Sequence, residues 1–242
     1  MNLLRGFLDN DSIIGQILLR LWAIIICNLC FVLTTIPVVT AGAGWAAMDY
    51  ALMNTLKNNN TAAPFRDFWK GFRTNFKQAT VSWLAALVLA GILGMEWYWC
   101  RQFGGIFEYF GMGILVIAAC ALIILLYLFP TMAAFEAPLG KLIGSSIYFA
   151  LNRPVNLIIL VFVHIVPMAL TYIDLQRLPL YAFLWCFFGF AAVSLVSVSL
   201  LLKQYMPYLA KNESRKEEGD KEQDPHKKSE AEILREMRKM GM

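Results

Sequence analysis

Five apolar stretches, each about as long as a lipid bilayer's hydrocarbon core is thick, constrain the fold of this chain more than any other feature. A helix needs about 20 apolar residues to cross roughly 30 Å of hydrocarbon. Inside the membrane the backbone must satisfy its own hydrogen bonds, and no stretch shows the alternation of a barrel strand, so we expect helices. The predicted fold class is an all-α integral membrane protein. Its predicted spans are residues 15–36, 80–99, 111–130, 155–174 and 180–202.

The composition agrees with an integral membrane protein. Of the 242 residues, 59% are hydrophobic and 16% are charged, whereas a soluble domain carries about a quarter charged residues. Much of the charge lies near the C-terminus, which predicts a membrane domain over 1–210 and a charged, mostly disordered cytoplasmic tail over 211–242. Within the tail, Ser229 and Glu232 have the spacing of a capping box and predict a short terminal helix.

The lysines and arginines predict how the chain is oriented. They concentrate in the connections 37–79 and 131–154 and in the tail, which places these parts in the cytoplasm and the N-terminus outside. Weakly polar helical stretches at 43–57 and 134–151 are predicted to be two cytoplasmic surface helices. Two alternatives for the first span stay open. The leader lies along the inner face if residues 38–57 cross the membrane, or the first span re-enters.

Two prolines stand at the predicted cytoplasmic ends of the first and third spans. Pro37 and Pro130 each lack a backbone donor and disfavour helical geometry in the preceding residue, so both are predicted to turn the chain onto the membrane surface. The order span, short helix, span then occurs twice. This order favours a parallel internal repeat, with chance similarity of two-span units as the alternative.

A basic and aromatic segment precedes the second span. At about 100° per residue on a helix, its aromatic rings share one face and its cations form a second stripe. This pattern is typical of a helix on an anionic lipid surface, and docking of a partner protein is the alternative. Nucleic-acid binding is disfavoured because the helix runs directly into an apolar span. The predicted contact residues are Phe65, Arg66, Phe68, Trp69, Lys70, Phe72, Arg73, Asn75, Phe76 and Lys77.

The same segment resembles the signature of the YesL-like family of bacterial multi-span membrane proteins, which carry a domain of unknown function. The resemblance implies the bacterial cytoplasmic membrane and an association with carbohydrate uptake and breakdown, so that a sugar ABC transporter or a membrane sensor is the implied partner. It implies no enzymatic activity. The matching motifs are Phe65-Arg66-Asp67-Phe68, Phe72-Arg73, Asn75-Phe76-Lys77-Gln78-Ala79, Asn28, the turn Ile36-Pro37-Val38-Val39-Thr40-Ala41-Gly42, and Phe129-Pro130 followed by Phe135-Glu136.

A few polar residues lie at predicted membrane depth. His164 is a candidate functional residue because ionisable groups are costly there, and the alternative is a neutral histidine bonded to a carbonyl that Pro167 frees. Asn28 and the serines of the fifth span are predicted to form interhelical hydrogen bonds. A polar substrate path along these residues is the competing interpretation. Asp49 is expected either to pair with a basic residue of the segment 65–77 or to be a simple solvated charge.

No catalytic, phosphate-binding or metal-binding motif emerges from the sequence. Cys27-x-x-Cys30 has redox or zinc spacing, but its position mid-span favours two small buried hydrophobes. The run Glu136-Ala137-Pro138-Leu139-Gly140 resembles only in part the loop by which ABC importer permeases contact their ATPase. We therefore expect no enzyme and no cofactor. The favoured function is a membrane accessory protein, the alternative is a small transporter or channel, and a homo-oligomer stays open.

Overall fold

The computed structural model describes residues 13–57 and 63–223, and this part of the chain is helical with no strand. Short 3-10 turns at Val38–Thr40 and Leu175–Arg177 and a π-helical turn at Trp185–Gly189 interrupt the α-helices. The helices are α1 (Ile13–Thr35), α2 (Ala41–Lys57), α3 (Pro64–Phe103), α4 (Ile106–Ala134), α5 (Leu139–Asn152), α6 (Pro154–Ile173), α7 (Leu178–Leu184) and α8 (Phe190–Gln223).

Five helical segments of the described chain are long and apolar enough to cross a membrane. Each contains most of one predicted span, so the predicted all-α membrane fold is confirmed, and the protein is a multi-pass membrane protein. The segments are Leu18–Thr35, Pro64–Phe103, Ile106–Ala134, Pro154–Ile173 and Leu175–Lys211.

Helix α3 is much longer than a membrane is thick. Its 40 residues make a rod about 60 Å long, against roughly 30 Å of hydrocarbon. The second part of α3 is apolar and exposes side chains such as Val88 and Ile92. The first part carries the basic and aromatic segment. Part of α3 therefore extends beyond the hydrocarbon.

Helix α2 is enclosed by its neighbours and does not lie on a surface. Twelve of its 17 residues are buried, and it packs against α1, α3 and α4. Its glycines allow a close approach: the Cα of Gly42 lies against Trp83, and that of Gly44 against Thr34. The surface position expected for residues 43–57 is therefore wrong, because alanines and glycines on several sides let α2 fit between three helices.

Helices α1 and α2 form an antiparallel hairpin, and α2 is also antiparallel to the first part of α3. Gly71 of α3 lies against Tyr50, near the end of α2, and Ala23, Leu52 and Phe68 share one core cluster. Helix α1 is therefore parallel to the first part of α3, and both helices begin at the same end of the bundle. The side of the membrane on which the N-terminus lies stays a prediction, and residues 1–12 are outside the described residues.

The two prolines have different structural roles. Helix α1 ends at Thr35, and the chain bends at residues 36–37, as predicted for Pro37. Pro130 instead lies inside α4, which continues to Ala134, so the turn predicted there is wrong. A proline removes one helical hydrogen bond without ending a helix whose neighbours hold it, and Pro130 is buried. The chain turns later, between Phe135, which is extended, and Pro138.

The two proposed repeat units share an order of elements but differ in packing. Helices α1, α2 and α3 correspond to α4, α5 and α6. Among the residues of α5 only Leu142, Ser146, Phe149 and Ala150 are buried, whereas α2 is buried over most of its length. The repeat therefore stays a prediction at the level of element order.

The chain divides into two units, Met1–Leu202 and Lys203–Met242. Helix α8 begins in the first unit and continues through Gln223 in the second, so the first part of the tail predicted over 211–242 is helical. The predicted terminal helix at Ser229 and Glu232 lies outside the described residues.

Candidate functional site

Four basic side chains form an exposed row on the first part of α3, which we name the basic face: Arg66, Lys70, Arg73 and Lys77. None of the four forms an ion pair within residues 13–57 and 63–223. The ammonium of Lys70 lies 5.9 Å from the ring centroid of Tyr50, a weak cation–π contact at an exposed site. The basic face is therefore free to meet an anionic group from outside this chain.

The aromatic side of the same helix is largely occupied by protein. Phe68 is fully buried in the cluster formed with α1 and α2, and Trp69 and Phe72 pack against that cluster. Phe65 and Phe76 remain 60% and 38% exposed. The helical pattern favoured insertion of this aromatic side into lipid. In the structure only Phe65 and Phe76 of the aromatic residues in this segment are exposed enough to contact lipid.

The basic face borders the connection between α4 and α5. The amide of Gln78, one residue beyond Lys77, donates to the carbonyl of Ala137 at 3.3 Å. Phe72 and Ala137 pack against the same core cluster. Asn75 donates to the carbonyl of Gly71 in its own helix at 3.1 Å. Helix α3 and the connection 135–138 thus present one continuous surface, although their sequence positions are far apart.

Asn28 holds the π-helical turn. Its amide nitrogen donates to the carbonyls of Trp185 and Cys186 at 2.9 and 2.6 Å, and its amide oxygen accepts from the backbone N–H of Ala191 at 2.9 Å. A π-turn leaves backbone groups without their usual helical partners, and buried backbone groups require partners. Asn28 is therefore fully engaged with the backbone of a distant helix.

Asp49 is buried in α2 beside α8. The hydroxyl of Ser194 donates to its Oδ1 atom, while Oδ2 has no hydrogen-bond partner among the described residues. The expected pairing of Asp49 with the basic segment is wrong, because the carboxyl lies on the side of α2 that meets Ser194. Helix α2 is outside the five segments that can cross the membrane. Burial raises the pKa of Asp49 to about 8, and the Ser194 hydrogen bond opposes that shift.

Replacing Asp49 by asparagine should change how stability depends on pH. An aspartate in the unfolded chain ionises near pH 4, whereas the folded carboxyl stays neutral until about pH 8. The wild-type protein should therefore lose stability as the pH rises through this window, by an amount on the order of a few kcal/mol. We expect the Tm of Asp49→Asn, measured in detergent, to exceed that of the wild type increasingly between pH 5 and 8. Parallel pH profiles for the two proteins would contradict this.

His164 lies in α6 and stacks on Trp45, with ring centroids 5.9 Å apart. Its Nδ1 atom lies 2.9 Å from the carbonyl oxygen of Leu160, four residues earlier. That carbonyl is not the one that Pro167 frees, which belongs to Val163. Because a carbonyl oxygen only accepts, Nδ1 is the protonated nitrogen.

Of the polar residues proposed for a substrate path, His164 and Ser194 line one cavity, whereas Asn28, Ser197 and Ser199 do not. Asn28 is engaged at the π-turn, and His164 lies beside Trp45. Ser197 and Ser199 donate to carbonyls of their own helix, whereas Ser194 alone of the three serines bonds to another helix. Cys27 and Cys30 are free thiols in the core cluster, and no metal-binding group of three or more ligating side chains occurs in the described ranges. The transporter alternative stays a prediction.

The sequence analysis did not single out three tryptophans whose contacts join different elements of the fold. The indole N–H of Trp83 donates to the carbonyl of Val38 at the tip of the α1–α2 hairpin, at 2.8 Å. The indole N–H of Trp185 donates to the hydroxyl of Thr171 at 2.9 Å. Trp45 stacks on Phe129 with centroids 5.5 Å apart. A tryptophan in an apolar run offers a donor that must find a partner, and that was the available signal.

These features define a class: an all-α, multi-pass membrane protein in which the α1–α2 hairpin fixes a long helix with an exposed basic face. The family model described as "Protein of unknown function, DUF624" matches residues 24–97, a stretch that includes α2 and the basic face. YesL-like proteins contain this domain, so the resemblance drawn from the motifs is confirmed. No curated protein and no solved structure gives a significant match to the chain.

Proposed function

We propose that the protein is a non-enzymatic membrane accessory protein that acts through contact between the basic face and a partner protein. The observation that carries the proposal is the row of four exposed cations on a helix whose opposite side is fixed in the core by Phe68. A rigidly held surface loses little conformational freedom on binding, which favours affinity. A row of like charges also favours fast and specific association with an acidic surface.

A protein partner accounts for the packing better than lipid alone. A membrane-surface helix needs its aromatic side free for the acyl boundary, but Phe68 is buried and Trp69 and Phe72 pack against the core. The cations retain an attraction to anionic lipid of about 1 kcal/mol each near the headgroups. Anionic lipid therefore orients α3 at the membrane edge, and the exposed basic face remains for the partner.

The cellular setting follows from charge distribution and from the family resemblance. The excess of lysine and arginine in the connections and the tail supports a cytoplasmic basic face and C-terminus. The YesL-like resemblance supports a bacterial cytoplasmic membrane and a partner in carbohydrate uptake, either a sugar ABC transporter or a membrane sensor. The connection at Glu136, which partly resembles a permease coupling loop, borders the basic face through Gln78 and Ala137.

Reversing two charges of the basic face tests this function. The variant Arg73→Glu with Lys77→Glu should insert in the membrane but lose its partner, because an acidic surface then meets like charge. The measurement is co-purification from native bacterial membranes with a tag after the last residue, followed by mass spectrometry. We expect recovery of a transporter or sensor subunit to fall at least tenfold.

The matched control makes the same change in net charge elsewhere. Arg101 and Arg177 are exposed and lie on the predicted opposite side, so Arg101→Glu with Arg177→Glu should retain the partner. Equal recovery of the partner by both double variants would overturn the role of the basic face. Recovery of the wild-type protein alone, as a homo-oligomer, would overturn a stable accessory complex.

A further inference from the structure

An apolar cavity of about 450 Å³ lies between the membrane-spanning helices of the first unit. Its walls come from α1, α2, α3, α6, the π-turn and the start of α8, and all of these elements except α2 belong to segments that can cross the membrane. Among its lining residues are Trp45, Trp83, Trp185, His164, Met168 and Ser194. The volume falls within the usual range for small-molecule sites, about 300–1,000 Å³.

The rim of the cavity faces lipid. Met168, on the membrane-spanning helix α6, lines it and is 56% exposed, and Ile36, in the bend after α1, is 73% exposed. Exposed apolar side chains on membrane-spanning helices contact acyl chains, so a molecule dissolved in the bilayer reaches the cavity laterally. A sugar or an ion lacks such a route, and an apolar wall would leave its polar groups without partners.

The polar groups of the wall are few and their roles are defined. The indole N–H groups of Trp83 and Trp185 are used by Val38 and Thr171, so these rings present apolar faces. The Nδ1 atom of His164 donates to Leu160, which makes Nε2 an acceptor in the neutral ring. No acidic side chain lines the cavity to stabilise an imidazolium. The hydroxyls of Thr35 and Ser194, which also line the cavity, donate to the carbonyl of Phe31 and to Asp49. A bound molecule therefore meets hydrocarbon and aromatic walls, and His164 offers the one side-chain nitrogen acceptor among the lining residues.

We propose that this cavity binds a membrane amphiphile with a long hydrocarbon body and a hydroxyl group that donates to Nε2 of His164. The apolar body is stabilised by burial against the aromatic walls. The hydroxyl matters for selectivity, because an acceptor in an apolar site discriminates against a ligand that leaves it unpaired. None of the four cations of the basic face lines this cavity, so the inference stands or falls independently of the proposed function.

A pair of photoreactive probes tests the proposal on the full chain in lipid nanodiscs. The probes are hexadecanol with a diazirine in mid-chain and the methyl ether of the same compound, which lacks the donor. After illumination, labelled peptides are mapped by mass spectrometry. We expect the alcohol to label peptides around Trp185 and Met168 at least fivefold more than the ether does.

A second cavity supplies an internal control. It measures about 400 Å³, lies between α3 and α4, and is lined by apolar residues such as Leu87 and Ala118, with no hydroxyl or titratable side chain. The two probes should label it equally. Equal labelling of both cavities by the alcohol, or equal labelling of the first cavity by the two probes, would overturn the proposal.

Two variants test separately the hydrogen-bond acceptor of His164 and the free volume of the first cavity. His164→Phe keeps an aromatic ring beside Trp45 and removes the acceptor, so labelling of the first cavity by the alcohol should fall to the level of the ether. Val193→Trp places a larger side chain in the cavity wall and should reduce labelling by both probes, whereas Val88→Trp, on an exposed part of α3, should not. Unchanged labelling of His164→Phe by the alcohol would contradict the assignment even if Val193→Trp fails to fold.

Discussion

Replacing Gly42 by alanine should strongly destabilise the protein, with a fall in Tm of roughly 10 °C. A methyl group on Gly42 would overlap the Cβ atom of Trp83 and would lie 2.8 Å from the carbonyl oxygen of Ala79. Neither group can move easily, because Trp83 is held by its hydrogen bond to Val38 and Ala79 is backbone within α3. Overpacking of this kind costs about 1–3 kcal/mol and sometimes more. The measurement is thermal unfolding of the purified protein in detergent.

The matched control is Gly91→Ala, further along α3. A Cβ atom on Gly91 meets nothing within 4 Å, and alanine is favoured over glycine inside a helix by about 0.5–1 kcal/mol. Gly91→Ala should therefore leave the Tm unchanged or raise it slightly. If Gly42→Ala behaved like Gly91→Ala, the close approach of α2 to α3 would be wrong.

Replacing Asn28 by leucine should have the second large effect, a loss of about 4 kcal/mol of unfolding free energy. Leucine has a similar size but satisfies none of the backbone groups of Trp185, Cys186 and Ala191 that Asn28 bonds. Each buried group left without a partner costs about 1–3 kcal/mol. Chemical or thermal unfolding measures the global loss, and hydrogen exchange at the amide of Ala191 reports the local one.

Ser197→Ala is the control for Asn28→Leu. Ser197 lies in the same region of α8 but donates to the carbonyl of Val193 in its own helix. Removing its hydroxyl should therefore lower the free energy of unfolding much less than Asn28→Leu does. Protection of the Ala191 amide should fall in Asn28→Leu and persist in Ser197→Ala. An unchanged exchange rate in Asn28→Leu would show that the π-turn does not depend on this side chain.

The spans were predictable from sequence, whereas the burial of α2 was not. An apolar run of about 20 residues has one common solution in a bilayer, which is why the five spans match the structure. The stretch 41–57 mixes alanines and glycines with Asp49 and is only weakly apolar, a pattern that suits a surface. Only tertiary packing shows that its small residues serve close approach to Thr34 and Trp83.

Parts of the candidate sites were likewise predictable from sequence, and other parts were not. The exposed row of cations followed from helical periodicity, which places Arg66, Lys70 and Arg73 on one side. Periodicity does not say what covers the opposite side, and the burial of Phe68 depends on α1 and α2. The partners of Asn28 also could not be predicted from sequence, because nothing in the run Trp185–Gly189 indicates a π-turn.

Site-specific photo-crosslinking from the basic face tests the central claim most directly. Thr74 is exposed and next to Arg73, so a photoreactive amino acid there leaves all four cations in place. Val88, which is exposed on the apolar part of α3, takes the same amino acid as the control position. We predict that illumination of living cells joins position 74, but not position 88, to one membrane transporter or sensor subunit. Crosslinks from position 74 to lipid alone, or to another copy of this chain alone, would contradict the claim.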